Sequence, residues 1–330
     1  MKNRYIIIMA AAVMTMFCVN DARAWIYGTT SLNNAAAQQF INQTLLPYQR
    51  QAKLVKGFAN ASAYSSAVAT QRGYQGFDKV SVTLGTMGAA QVPATTTNLG
   101  YYKGLVKQLR KEGDVYIGVA WNAWALNVGI KLPADFTISA KFGMLKYSYL
   151  YFKFNGITAG GMLNYQIVQP KSPPVKFVLW RGLSIGAGLN WQRNNTRFHY
   201  KAPSMSSNGY TMRPEFTLFV KTESYVIPLE MSTAVRLFWV LNIHAGVGID
   251  FAFGSSRMNY SASGLVTNGS LAGSGLAYAY GRQGGKGPTK FLPKVFCGPG
   301  LNFGPVIIDI PFTYYFNNGF NAGVTFGVVW

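Results

Sequence analysis

The chain has 330 residues and is poor in what a disulfide-built secreted domain or a metal-dependent enzyme uses: two cysteines, two histidines and ten acidic residues. Cys18 lies in the N-terminal apolar run, so Cys297 stands alone in the remainder and no intrachain disulfide forms there. His199 and His244 make no H-x-x-x-H pair, and neither a metal nor a cofactor is expected. The Gly186-Ala187-Gly188 and Gly246-Val247-Gly248 stretches lack the third glycine of a phosphate loop. After the N-terminal segment no uninterrupted apolar 20-mer occurs, which excludes helical membrane spans. Against ten acidic residues stand thirty basic ones, a net charge of +20. That balance calls for anionic neighbours such as lipid headgroups or polyanionic glycans. No nucleic-acid recognition motif accompanies it, so nucleic acid is not an expected partner.

What is present begins with an export signal. Lys2 and Arg4 precede an apolar run from Tyr5 to Val19, followed by Ala22-Arg23-Ala24. This reads as a secretory signal, residues 1–24, cleaved after Ala24. Phe17 occupies the place where a lipoprotein signal needs a small residue, which argues against lipidation of Cys18. Removing the segment leaves 27 basic and 9 acidic residues, a balance of +18.

The second feature is alternation. Phe320, Ala322, Val324, Phe326, Val328 and Trp330 share one side of the terminal stretch, and Asn321, Gly323, Thr325 and Gly327 lie on the other. Ile243, Ala245, Val247, Ile249, Phe251 and Phe253 oppose Asn242, His244, Gly246, Gly248, Asp250 and Ala252. Residues 157–168 and 183–192 behave likewise. Period two marks β-strands. One face is apolar; the other is small, amide- or hydroxyl-bearing and mostly uncharged. A soluble sandwich would carry far more Lys and Glu outside, whereas a tightly filled barrel lumen needs such a face. The expected fold is therefore all-β: a transmembrane outer-membrane antiparallel barrel over residues 78–330, of about ten strands (range roughly 8–14). The expected strands are 78–92, 114–131, 136–151, 157–179, 182–201, 213–236, 242–258, 289–303, 305–316 and 319–330. Short turns at 132–135, 180–181, 238–241 and 304–305 alternate with longer connections at 93–112, 152–156, 202–212 and 259–288, as periplasmic turns alternate with outer loops. Trp330 then reads as an interface aromatic and as the terminal signal for the outer-membrane assembly machinery.

Residues 25–77 do not fit the wall. Ile41, Leu45, Tyr48, Ala52 and Val55 recur at helical spacing, predicting an amphipathic helix over 38–58 that either plugs the lumen or forms a periplasmic arm. The small residues Ala59 to Ala63 suit a segment that passes closely beneath the wall. Inside the barrel, Glu230, Arg236, His244 and Asp250 form a candidate polar network, since buried charges need partners. His199 falls near Glu215 and serines 204, 206 and 207, the residue types of a barrel hydrolase. Candidate ligand-contact residues lie in the outer loops: Lys103, Lys107, Arg110 and Lys111 on a basic amphipathic pattern over 98–112, and Arg257, Arg282 and Lys286 at the margins of the Gly/Ser-rich loop 259–288.

Three stretches carry a family likeness. They are "GFANASAYSSAVATQRGYQG" (Gly57–Gly76) followed by "VSVTLG", "WRGLSIGAGLNWQRNNT" (Trp180–Thr196), and the closing "PFTYYFNNGFNAGVTFGVVW". Together they resemble a spirochaetal outer-membrane surface-protein family whose members include leptospiral surface adhesins reported to bind extracellular matrix. The small-residue N-terminal block is more loosely similar to the hatch of long-chain fatty-acid channels. The first resemblance implies surface exposure, with host extracellular-matrix molecules as partners besides outer-membrane lipids and lipopolysaccharide. The leading expectation is thus a non-enzymatic surface protein that contacts host or envelope ligands through basic loops. The alternatives are a gated channel for small or hydrophobic solutes and a barrel hydrolase.

Overall fold

The computed structural model describes residues 25–30, 52–66, 77–92, 118–122, 124–171, 177–207, 209–268 and 270–330. Its strands are β1 (Trp25–Thr30), β2 (Val80–Gln91), β3 (Gly118–Trp121), β4 (Ala125–Lys131), β5 (Phe136–Tyr149), β6 (Phe152–Val168), β7 (Val178–Lys201), β8 (Met205–Ser207), β9 (Tyr210–Met212), β10 (Glu215–Leu237), β11 (Leu241–Asn268), β12 (Ser270–Lys286), β13 (Phe291–Phe303), β14 (Val306–Asp309), β15 (Phe312–Tyr315) and β16 (Gly319–Val329). One helix, α1 (Ala52–Ser65), precedes β2.

Every pairing is antiparallel, and the pairings close on themselves. From β2 the ring runs through β4, β5, β6, β7, β10, β11, β13, the β14–β15 stave and β16, and β16 returns to β2 with Val329 opposite Ser81 and Gly319 opposite Gln91. β3 and β4 form one stave, as do β14 and β15, which part at Pro311, a residue without an N–H for the ladder. The wall therefore has ten staves, as the alternation predicts. A closed ring leaves no edge, the condition for crossing a bilayer with strands.

Burial runs opposite to that of a soluble protein. Asn127, Thr158, Asn164, Asn190, Gln192, Ser232, Asn242, His244, Asp250, Asn321 and Thr325 are buried, while Leu126, Ile138, Leu189, Leu229, Val247 and Phe326 are exposed. The apolar face thus meets lipid and the polar face fills the interior. In 242–253 and 319–330 each side chain lies on the face its parity assigns. Exposed aromatics mark both rims of the apolar band. Tyr165, Phe238, Trp239, Phe303 and Trp330 lie toward the end that carries the short turns, and Trp121, Tyr225, Phe253 and Phe320 toward the other.

Four expectations need correction. β6 ends at Val168 and β7 begins at Val178, so both Trp180 and Arg181 belong to β7 and not to a turn; Pro170, just past β6, cannot donate to a ladder. Residues 152–156 are strand, because β6 starts at Phe152 directly after the tight turn at Leu150. Loop 259–288 is strand for most of its length: β11 continues to Asn268 and β12 returns beside it, from Leu265 opposite Leu276 down to Ser256 opposite Lys286. β1 pairs with the free edge of β12, Trp25 opposite Arg282. The described helix runs Ala52–Ser65, past the expected end at 58, so the small residues 59–63 pass close to the wall as helix. Residues 38–51 of the expected helix, and the signal segment, lie outside the described residues.

Candidate functional site: a filled lumen beneath a raised sheet

Helix α1 has the sequence AKLVKGFANASAYS. Alanine supplies intrinsic helicity, and its small side chains let the backbone approach the wall on all sides. Ala59 through Ser66 are all buried, and α1 touches β2, β3, β7, β10, β11, β12 and β16, staves around the ring. It lies in the lumen. At Gly118 of β3 a Cβ would fall on the backbone of Gly57, so the helix crosses β3 this closely only because residue 118 is glycine.

Polar groups on the wall match those on the helix. Asn60 Nδ2 donates to Gln91 Oε1 (3.1 Å), as does the Tyr64 hydroxyl (2.5 Å), and Asn60 Oδ1 accepts from Thr289 N (2.7 Å). Ser62 Oγ meets Ser224 Oγ at 3.2 Å, and Gln192 Nε2 donates to Ser65 Oγ (2.8 Å). The Tyr64 ring stacks on Tyr315, with centroids 4.2 Å apart. The last carbonyls of a helix lack partners within it. Here the wall supplies them: Asn321 Nδ2 to Tyr64 O (2.7 Å), Asn122 Nδ2 to Ser65 O (2.7 Å) and Lys141 Nζ to Ser66 O (2.6 Å). The ammonium also suits the negative end of the helix dipole.

Below the helix sits a charge cluster. Lys294 Nζ lies 2.5 Å from Glu230 Oε1 and 2.7 Å from Asp250 Oδ1, with its side chain fully buried. The Tyr315 hydroxyl donates to Asp250 Oδ2 (3.1 Å). The expected network of Glu230, Arg236, His244 and Asp250 divides in two. Arg236 lies six residues from Glu230 on β10, and His244 six from Asp250 on β11, about 20 Å along the strands in each case. Glu230 and Asp250 share Lys294, whereas His244 packs its ring over Gly298, where any Cβ would collide with it. Lys294 is the member sequence reading missed. Its signal was there: a lone lysine in lumen phase within the apolar stretch FLPKVFCG.

Toward the end opposite the short turns the interior changes character. Tyr210 and Met212 of β9, Phe216 of β10, Tyr260, Ala262 and Val266 of β11, Ala277 and Ala279 of β12 and Ala202 form a buried apolar cluster. β9 is bound there by its pairing with β11, Met212 opposite Val266. Above the rim, β7, β10, β11 and β12 thus continue as a raised sheet with its own core. Its outward face carries Leu276, Tyr278, Tyr280 and Arg282 on β12 and Arg257 on β11, all exposed. Lys286 is exposed beyond the bulge at Gly285, whose φ of +83° favours glycine. Of the candidate contact residues the sheet therefore holds Arg257, Arg282 and Lys286 on stiff strands, and Lys103, Lys107, Arg110 and Lys111 lie outside the described residues. His199 faces Thr217 (Nδ1 to Oγ1, 3.0 Å) and Glu215 (3.8 Å), which Lys201 holds at 2.7 Å; Ser206 bonds Thr211 (2.9 Å). His199 and Glu215 thus lie together as expected, while Ser206 is paired with Thr211.

Three solved barrels are similar to this chain at low identity. The toluene transporter TbuX of Ralstonia pickettii is 7% identical over 84% of this chain and 99% of its own, with a TM-score of 0.27. The translocator domain of the autotransporter NalP from Neisseria meningitidis is 9% identical over 77% and 90%, TM-score 0.29. A Pseudomonas aeruginosa FadL homologue is 11% identical over 83% and 96%, TM-score 0.26. Comparison with curated proteins gave no sequence match. The model of the Lsa36-like family matches residues 15–330, which include α1 and every stave. The chain is an outer-membrane β-barrel protein and belongs to the Lsa36-like family.

Proposed function

We propose that the protein is a surface-exposed barrel that holds host or envelope ligands on its raised basic sheet, and that it is not a conducting pore. The observation behind this reading is the contrast between inside and outside. The lumen holds a helix fastened by wall side chains, a desolvated charge cluster below it and an apolar core above it. A solute would have to displace them all. The outward sheet, by contrast, presents Arg257 and Arg282 beside Tyr278 and Tyr280 on paired strands, with Lys286 exposed beyond the bulge at Gly285. Rigid strands lose little conformational entropy when they bind, and arginine and tyrosine are the side chains that dominate contact surfaces. Export with cleavage after Ala24 and recognition of Trp330 by the assembly machinery complete the proposal.

The test uses the full-length protein refolded in neutral detergent, with heparin as the polyanion and matrix proteins as a second probe. Arg257→Gln/Arg282→Gln/Lys286→Gln should lose most of the salt-sensitive binding. Wild-type protein should give no steady current in planar bilayers. Unchanged binding by the triple variant overturns the assignment of the sheet. Steady porin-like conductance overturns it in favour of the channel.

A further inference from the structure

At the foot of the raised sheet the strand register sets like charges face to face. Lys153 of β6 lies directly opposite Arg197 of β7, and Lys221 of β10 directly opposite Arg257 of β11. Residues so placed have Cβ atoms about 5 Å apart, and like charges there destabilise a sheet. A fifth cation, Arg193, sits two residues below Asn195, the partner of Lys221 on β7, and directly opposite Glu223 of β10. Lys153, Arg193, Arg197 and Arg257 are exposed and Lys221 half-buried, all on the outward face. Among the described residues no ion pair joins any of them to a carboxylate. The neighbouring carboxylate, Glu223, accepts instead from Trp191 Nε1 (3.1 Å) and the Tyr225 hydroxyl (3.1 Å). The Arg197 guanidinium lies 5.8 Å from the centre of the Phe219 ring, which keeps its plane against the wall.

Height decides what such a group meets. Trp191, Tyr225 and Phe253 belong to the aromatic rim of the apolar band. Lys221 and Arg257 each stand four residues further out on the same strands, which at a strand tilt near 40° is about 10 Å above the rim. This is headgroup depth, continuous with the lipid-facing wall. A soluble ligand would have to enter the headgroup layer to reach it, whereas a phosphorylated lipid is already there.

We infer that these two like-charge pairs, with Arg193, form a site for the phosphate groups of an outer-leaflet phosphoglycolipid. One phosphate between Lys221 and Arg257, and another between Lys153 and Arg197, turns each repulsion into attraction; Arg supplies the bidentate contacts. The inference does not depend on the adhesive reading: three of its cations, Lys153, Arg193 and Arg197, and Lys221 beside them, lie outside the set proposed for host ligands, and only Arg257 is shared.

The full-length protein is refolded in neutral detergent and offered a bis-phosphorylated acylated glucosamine disaccharide or its dephosphorylated form, with bound copies counted by native mass spectrometry. Wild type should retain the phosphorylated lipid and release the other. Lys153→Gln/Arg197→Gln/Lys221→Gln should bind it roughly a hundredfold more weakly, at about a factor of five per cation lost. The same variant should keep heparin binding, since Arg257, Arg282 and Lys286 remain. Lys221→Glu supplies a second arm. It should raise the melting temperature in neutral detergent, by pairing with Arg257, yet lose the further rise that the phosphorylated lipid gives wild type. Equal retention of both lipid forms, or a triple variant that binds like wild type, overturns the site. Loss of heparin binding together with lipid binding would mean one shared polyanion surface and would equally overturn a dedicated lipid site.

Discussion

Replacing Lys294 by methionine is the sharpest test of how the lumen is held. The methionine keeps the length of the side chain and removes its charge. Two carboxylates then remain, Glu230 and Asp250, which the ammonium held at 2.5 and 2.7 Å in a fully buried position. Breaking a buried ion pair costs about 3–5 kcal/mol, because the abandoned charge stays desolvated. The Tyr315 hydroxyl still donates to Asp250, and Lys141 lies within electrostatic reach of both acids, so a loss of about 4 kcal/mol is expected. Removing all three charges, as Glu230→Gln/Asp250→Asn/Lys294→Met, should recover to within about 1–2 kcal/mol of wild type, since no buried charge is then unpaired. Urea titration of protein refolded into vesicles, followed by tryptophan emission, reads both. At a slope of about 3 kcal/mol/M the single variant's midpoint falls by a little over 1 M. A midpoint within about 0.3 M of wild type, or a triple variant as weak as the single one, would refute the reasoning: the cluster would then be hydrated rather than sealed.

Three further outcomes are expected. Val247→Arg, on the exposed face of β11, should cost about 2–4 kcal/mol in vesicle unfolding, whereas Thr158→Ser on the lumen face of β6 should cost under about 1 kcal/mol; reversed costs would mean that the inside and outside faces have been exchanged. Trp330→Ala should lower the yield of assembled protein in the outer membrane more than the unfolding midpoint of what does assemble, and equal surface levels would exclude an assembly role. Gly118→Val should expel α1, because its side chain would occupy the place of the Gly57 backbone; protease sensitivity of the 52–66 segment reads this, and a protected helix would contradict the crossing.

How much of this was legible in the sequence follows from which interactions are local. Parity is local, so the ten staves and the orientation of Val247, His244, Asn321 and Trp330 could be read from the chain. The end of β6 was legible too, in Pro170, but the longer alternation outweighed it. The hairpin in 259–288 hid behind its glycines and serines; the pattern was Leu276, Tyr278, Tyr280 and Arg282 against Gly275, Ala277, Ala279 and Gly281, small residues inside and large ones outside. The helix runs past its expected end at 58 to Ser65 because amphipathicity locates surface helices, whereas residues 59–65 are buried, where small size matters more than a stripe. Lumen glycines mislead in the same way. Gly248 appears tolerant of serine, yet a Cβ there lies 2.5 Å from the Leu229 carbonyl oxygen. The pairing of Lys294 with Glu230, 64 residues away, depends on register that no local signal carries.

The seam between β2 and β16 is where the molecule closes. The Trp330 carbonyl accepts from the amides of Asp78, Lys79 and Val80, so Trp330 fastens the last stave to the first. Joining ends some 250 residues apart costs about 5 kcal/mol of chain entropy, and nothing repays it until the whole β2–β16 ladder is in place. Helix α1 comes before β2 in the chain, and its side chains reach staves from β2 to β16. It bonds Gln91 on β2 and Asn321 on β16, the two staves of the seam, so its docking favours the closed ring. The helix serves as a clasp across the seam, and a chain that closed without it would be left with a row of unmatched amides, Gln91, Asn122, Gln192 and Asn321, facing an empty core.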